Sequence, residues 1–132
     1  MKKIVVLLLL MFSTNVLAEW TRVDSDGEIT VFVDVQTIRK VGSKVKMWTL
    51  MDFKTVQQFI STLDTIRYLS GANHKEYDCE EETTRFLDIH RYSENIASGH
   101  IVYSQTNMKD EPESVIPGTL PEQLLRIACG KK

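Results

Sequence analysis

The feature that most restricts the fold of this chain is a pair of cysteines, Cys79 and Cys129, the only two in its 132 residues. In an oxidising compartment two such thiols are usually paired, whereas in the cytosol two separate buried thiols would be the better interpretation. A disulfide that closes a loop of about 50 residues stabilises the folded state by about 4 kcal/mol on the chain-entropy model. Whether the cysteines pair therefore depends on where the chain is sent.

Residues 1–18 have the three-part layout of a secretory signal peptide. Lys2 and Lys3 precede an apolar run from Ile4 to Phe12, and Ala18 ends a short sequence that a signal peptidase would cut. A membrane anchor is the alternative, but that run is far shorter than the roughly 20 residues that a spanning helix needs. We therefore predict export and a Cys79–Cys129 disulfide.

The sequence also limits the size and location of the exported part. Residues 1–18 contain no cysteine that could carry a lipid, so the protein is expected not to be a lipoprotein, and no later segment predicts an integral membrane helix. Residues 19–132 suffice for a single domain with one core. The predicted location is the periplasm, the cell surface or the medium. Removing the two leader lysines lowers the formal net charge from −2 to −4, which argues against a nucleic-acid partner.

Alternating apolar and polar residues predict about five to six antiparallel strands. The predicted strands cover residues 20–23, 28–34, 44–53, 68–79, 83–92 and 99–105. Asp26-Gly27 is typical of a hairpin turn. Residues 56–63 combine helical spacing of apolar side chains with neighbours that favour extended structure, and they are predicted to be a loop with one or two helical turns.

The C-terminal segment predicts a helix. Thr119 is suited to the N-cap, Glu122 to a capping box, and Gly130 to the C-terminal stop. Its apolar face is expected to consist of Leu120, Leu124, Ile127 and Ala128. The disulfide would then clamp this helix across the sheet, which predicts the α+β class.

Motifs that carry chemistry are absent from the sequence. No serine or cysteine occupies a nucleophile elbow, and no glycine-rich phosphate loop occurs. His74, His90 and His100 lie on three predicted strands without the spacing of zinc ligands. The acidic runs at 24–26 and 80–82 fit turns better than cation sites. We predict no catalytic residues, no metal and no cofactor, and expect that the protein is not an enzyme.

Basic side chains cluster in one part of this acidic chain and suggest a partner-binding face. The candidate face consists of Arg39, Lys40, Lys44, Lys46 and Lys54 together with Trp48. A solvated strand face is the alternative. Phe32, Trp48 and Leu50 would likewise form either an exposed apolar patch or part of the core.

Scattered residues along most of the exported part resemble the surface-adhesin protein E-like domains of Gram-negative bacteria. They include Trp20, Val23, Asp34, Ile38, Gly42, Trp48, Asp52-Phe53-Lys54, Tyr68-Leu69-Ser70, Glu76-Tyr77-Asp78-Cys79, Arg85, Gly99, Pro117-Gly118-Thr119 and Ile127-Ala128-Cys129-Gly130-Lys131. The resemblance implies an antiparallel sheet packed by a C-terminal helix, with the two cysteines bonded. It implies no particular ligand-binding residues, because the shared positions are structural ones.

The resemblance also implies a binding role. The family is named after an outer-membrane adhesin that binds host extracellular-matrix and serum proteins and can self-associate. This chain departs from the family in lacking a lipoprotein cysteine and in having Glu113-Ser114-Val115-Ile116 where a tryptophan often precedes the Pro-Gly pair. The predicted function is an exported, adhesin-like domain that binds other proteins, and a homodimer is one predicted assembly. The alternative is a periplasmic envelope or accessory protein without a host ligand.

Overall fold

The computed structural model describes residues 19–130, so the predicted signal peptide at 1–18 lies outside the described residues. The main element is one antiparallel sheet in which strands adjacent in sequence pair with each other. Its strands are β1 (Thr21–Ser25), β2 (Ile29–Val41), β3 (Lys44–Ser61), β4 (Asp64–Asp78), β5 (Thr83–Tyr92) and β6 (Ile101–Gln105), and a two-residue β7 (Glu113–Ser114) also pairs with β5. The predicted sheet is confirmed, and since one helix accompanies seven strands, the fold is mostly β.

The helix α1 (Leu120–Cys129) packs across β2, β3 and β4. Side chains from alternate strand positions face it, because successive residues of a strand point to opposite sides of the sheet. The resulting core consists of Val31, Val33, Val45, Met47, Tyr77, Leu124, Leu125 and Ala128. All four residues expected on the apolar helix face belong to this core or contact it: Leu124 and Ala128 lie in the core, and Leu120 and Ile127 pack against it. Leu125 also joins the core, although it was not predicted.

The disulfide connects Cys79, one residue beyond β4, to Cys129, the last residue of α1. Gly130 ends the helix with a φ of 69°, as predicted. Thr119 is the N-cap residue, but its hydroxyl donates to the Ile116 carbonyl instead of accepting a hydrogen bond from the first turn. The capping position is therefore correct, while the hydrogen bonds of a capping box are not formed.

Residues 56–63 are not the predicted loop with helical turns. β3 continues through Ser61, reverses at Thr62 and Leu63, and pairs with β4 from Asp64 to Tyr68. This extension, which we call the β3–β4 arm, forms because every neighbour of the apolar residues tolerates an extended backbone and a partner strand is adjacent. The arm exposes Val56, Ile60 and Leu63, the last at 96%.

Candidate binding face

The surface of the sheet opposite α1, which we call the outer face, holds most of the residues of the predicted partner-binding face. Met47 points into the core beneath α1, so its neighbours Lys46 and Trp48 point to the outer face. Half of this face is covered by the loop between β5 and β6. In that loop the Asn95 side chain and the Ile96 backbone N–H donate to the Asp52 carboxylate at 3.0 and 2.8 Å. The half nearer Lys44 remains open to solvent.

An irregularity in β2 lies beside Trp48. Between Asp34 and Arg39 the register with β3 shifts, and the intervening residues fold into a bulge. Within it the Thr37 hydroxyl donates to the Asp34 carbonyl at 2.6 Å and accepts the Trp48 backbone N–H at 3.1 Å. The Trp48 N–H is thus satisfied by a side chain instead of a ladder bond.

Two histidines stack on the Trp48 ring. The His74 ring lies 4.7 Å from the indole centroid with an interplanar angle of 6°, and the His90 ring lies 5.6 Å away at 14°. His74 is the cross-strand partner of Trp48, and His90 belongs to β5 one row further along. All three side chains are half-buried, so the stack is partly exposed on the outer face.

Asp88 holds the stack from the β5 side. The His74 Nδ1–H donates to Asp88 Oδ2 at 3.0 Å, and the Asn107 backbone N–H donates to Asp88 Oδ1 at 3.1 Å. Burial works to raise the pKa of Asp88, but these hydrogen bonds and the adjacent imidazoles outweigh it, so the pKa lies below its ordinary value. The carboxylate therefore stays charged and orients the His74 ring.

A row of charged side chains runs across the outer face next to the stack. Arg39 on β2, Lys46 on β3, Glu76 on β4 and Arg85 on β5 are successive cross-strand partners. Arg85 Nε donates to Glu76 Oε1 at 2.9 Å, which neutralises part of the positive charge. Lys44 lies one row further. The pKa of Asp78 is lowered mainly by hydrogen bonds from the backbone N–H groups of Glu81 and Glu80, and to a smaller extent by the positive charge of Lys44. The open half is therefore positive but contains carboxylates.

The structure brings together only part of the predicted basic cluster. Lys40 pairs with the inward-facing Val45, which places it on the helix side of β2. Lys54 lies ten residues beyond Lys44 on β3, about 33 Å away at strand spacing. The Arg39 guanidinium donates to the carbonyls of Gln36 and Ile38 and is partly occupied by them.

The apolar residues considered for an exposed patch do not form one. Leu50 is fully buried, and Phe32 and Trp48 are half-buried. Leu50 lies between Phe32 and Ala72 in the sheet, beside the covering loop, which explains its burial. Three exposed apolar side chains, Val56, Ile60 and Leu63, lie instead together on the β3–β4 arm. The sequence did not predict this feature, because residues 56–63 were expected to form a loop.

Within residues 19–130, no three histidine, cysteine, aspartate or glutamate side chains come together as a metal site. The acidic run at 24–26 forms a turn, in which Asp26 Oδ1 accepts the backbone N–H groups of Glu28 and Ile29, both at 2.9 Å. These two bonds lower the pKa of Asp26. No helix in the described part of the chain has the length and apolar character to cross a membrane.

The architecture defines a class, the disulfide-clamped antiparallel sheet with a single C-terminal helix. The family model of surface-adhesin protein E matches residues 20–130, and the chain belongs to this family. It is therefore an adhesin-like protein, and membership in a surface-adhesin family indicates binding to other molecules and an exported or surface location.

Solved structures of Haemophilus influenzae protein E share the fold. Crystal form II has a TM-score of 0.66 at 15% identity, with 89% of this chain and 91% of that chain covered. Protein E from non-typeable Haemophilus influenzae has a TM-score of 0.64, also at 15% identity, with 89% and 79% covered. No curated protein sequence matches the chain significantly.

Proposed function

We propose that residues 19–132 form an exported, non-catalytic domain that binds other proteins through the open half of the outer face. The observation that carries the proposal is the Trp48–His74–His90 stack beside the row Arg39, Lys46, Glu76 and Arg85. A partly exposed aromatic cluster next to charged groups is the composition typical of protein interfaces, where tryptophan and arginine often dominate the binding energy. Family membership supports a protein partner, and host matrix and serum proteins are the first class to test.

The binding proposal is tested with purified residues 19–132 and immobilised matrix and serum proteins. Trp48→Ala removes the centre of the stack and is expected to weaken binding about 30-fold or more. Lys46→Glu reverses a peripheral charge and is expected mainly to slow association, with a stronger effect at low salt. Lys54→Glu is the matched control, because Lys54 is also exposed but lies eight residues further along β3 than Lys46. Equal loss of binding in all three variants, or in none, would rule out this face.

Localisation decides between this proposal and a second one. If external protease digests the protein on intact cells while periplasmic markers stay protected, the domain is displayed at the surface. If digestion requires opening of the outer membrane, the second candidate holds, a periplasmic envelope or accessory protein without a host ligand.

A further inference from the structure

A cavity of about 720 Å³ lies on the helix side of the sheet, away from the outer face. It is enclosed by β5, by β7 with the segments on either side of it, and by the start of α1. Phe86, Val115, Ile116 and Pro121 supply apolar walls. The volume falls within the range of about 300–1,000 Å³ found for sites of small ligands.

Lys75 reaches this cavity from β4 and is 8% exposed. Its Nζ lies 4.8 Å from the ring centroid of Phe86 and 5.7 Å from that of Tyr77, and no residue within 19–130 gives it a hydrogen bond or an ion pair. Burial lowers the pKa of Lys75, and the negative charge of Glu113 offsets part of this effect. A buried ammonium group without an anionic partner is costly, and a bound anion would remove that cost.

Thr84 lies next to Lys75 but leaves the lysine as the polar group that a ligand can reach. In the register of β4 with β5, Lys75 pairs with Phe86 and Tyr77 pairs with Thr84, so the lysine and the threonine occupy neighbouring inward rows. Thr84 lines the same cavity, but its Oγ1 is buried and is not accessible to a ligand. The Lys75 ammonium, which has no hydrogen bond or ion pair within residues 19–130, therefore indicates a site for a carboxylate.

The mouth of the cavity has the opposite charge. Asp110, Glu111 and Glu113 line it and are all exposed. A simple apolar acid would be repelled there, whereas a ligand with a positive group next to its carboxylate would be attracted at both ends. The charge order is therefore positive at the base, apolar along the walls and negative at the entrance.

We infer that this cavity binds the C-terminal carboxylate of a peptide whose last residue is apolar. The carboxylate accepts a hydrogen bond from Lys75, and the apolar side chain contacts Phe86 and Ile116. A basic side chain of a preceding residue of the peptide lies at the acidic mouth. This site is distinct from the proposed protein-binding face and would remain if that face were disproved.

The test is a calorimetric or NMR titration of residues 19–132 with the peptide Gly-Lys-Leu, its C-terminal amide, N-acetyl-leucine and L-leucine. The peptide acid is expected to bind, and its amide at least about tenfold more weakly, because the charge-assisted bond is lost. N-acetyl-leucine and L-leucine, which lack the basic side chain, are expected to bind more weakly than the peptide acid. Lys75→Met should lose affinity to the same degree as the amide, while Lys46→Met on the outer face should not.

Several results would overturn the inference. They are no binding of the peptide acid, equal binding of acid and amide, full affinity in Lys75→Met, or binding of N-acetyl-leucine or L-leucine as tight as that of the peptide acid. Lys75→Met is expected to fold and melt at a higher temperature, because methionine keeps the apolar stem and removes the buried charge. If it does not fold, the affinities of the wild type for the acid and the amide decide.

Discussion

Tyr77 places a hydroxyl group inside the core beneath α1. The residue is completely buried, and its phenol oxygen has no hydrogen-bond partner among residues 19–130. Burial raises the pKa of Tyr77 far above its ordinary value, because the charged form would be desolvated. The ring is therefore a packing element, and its polar atom works against stability.

Removing that oxygen should be harmless. Tyr77→Phe is expected to leave the free energy of unfolding unchanged or to raise it by up to about 1 kcal/mol, since an unpaired polar group leaves the interior. Tyr77→Ala, which creates a cavity, should lower it by about 3–5 kcal/mol. Urea denaturation measures both variants. A clear loss of stability in Tyr77→Phe would mean that the hydroxyl has a partner after all.

Asp88 makes the stack sensitive to acid. Because its pKa is lower in the folded than in the unfolded state, its contribution to stability is fully present above the unfolded pKa of about 3.9 and disappears as the pH falls through the folded value. Asp88→Asn should therefore be less stable than the wild type at neutral pH and lose less stability below about pH 4. Melting temperatures measured from pH 7 down to 3 give this comparison, with Asp64→Asn on the exposed arm as the control.

At the scale of elements, the helix and the sheet depend on one covalent link. The ten residues of α1 form a helix too short to be stable alone in water, so its stability comes from packing and from the disulfide. The sequence separation of 50 between the cysteines corresponds to about 4 kcal/mol of stabilisation on the chain-entropy model.

Cys129→Ser is expected to lower the unfolding free energy of the oxidised protein by about that amount, and reducing agent should have the same effect on the wild type but none on the variant. Thermal denaturation with and without reductant measures both. If variant and wild type melt together under oxidising conditions, the disulfide does not clamp the helix.

At the scale of the whole molecule, the β3–β4 arm exposes Ile60 at 80% and Leu63 at 96%. Apolar side chains at such exposure on a projecting hairpin suggest contact with a partner or with a second copy. We expect self-association at high protein concentration that Ile60→Asp combined with Leu63→Asp abolishes, without a loss of monomer stability, because neither side chain is buried. Light scattering with size-exclusion chromatography measures the mass. A double variant that associates as the wild type does would exclude the arm as the contact.

The features that the sequence predicts depend on residues that lie close together along the chain. The alternation along β2, β3 and β5 identified strands because side chains of a strand point alternately to two faces. The C-terminal helix was predictable from its apolar spacing and from Gly130, and the disulfide from two cysteines behind a signal sequence. Lys75 could have been assigned to the inward face from its alternation with Tyr77, although nothing local shows the cavity.

What only the tertiary structure decided depends on which segments lie beside each other. Residues 56–61 became strand because Asp64–Tyr68 pair with this part of β3, and the Trp48 stack formed because the register places His74 and His90 next to it. Lys54 lies far from the other basic residues because the extended strand β3 separates it from them. Alternation along a sequence determines the face on which a side chain lies, but neighbours across strands and burial under distant loops follow from long-range pairing alone.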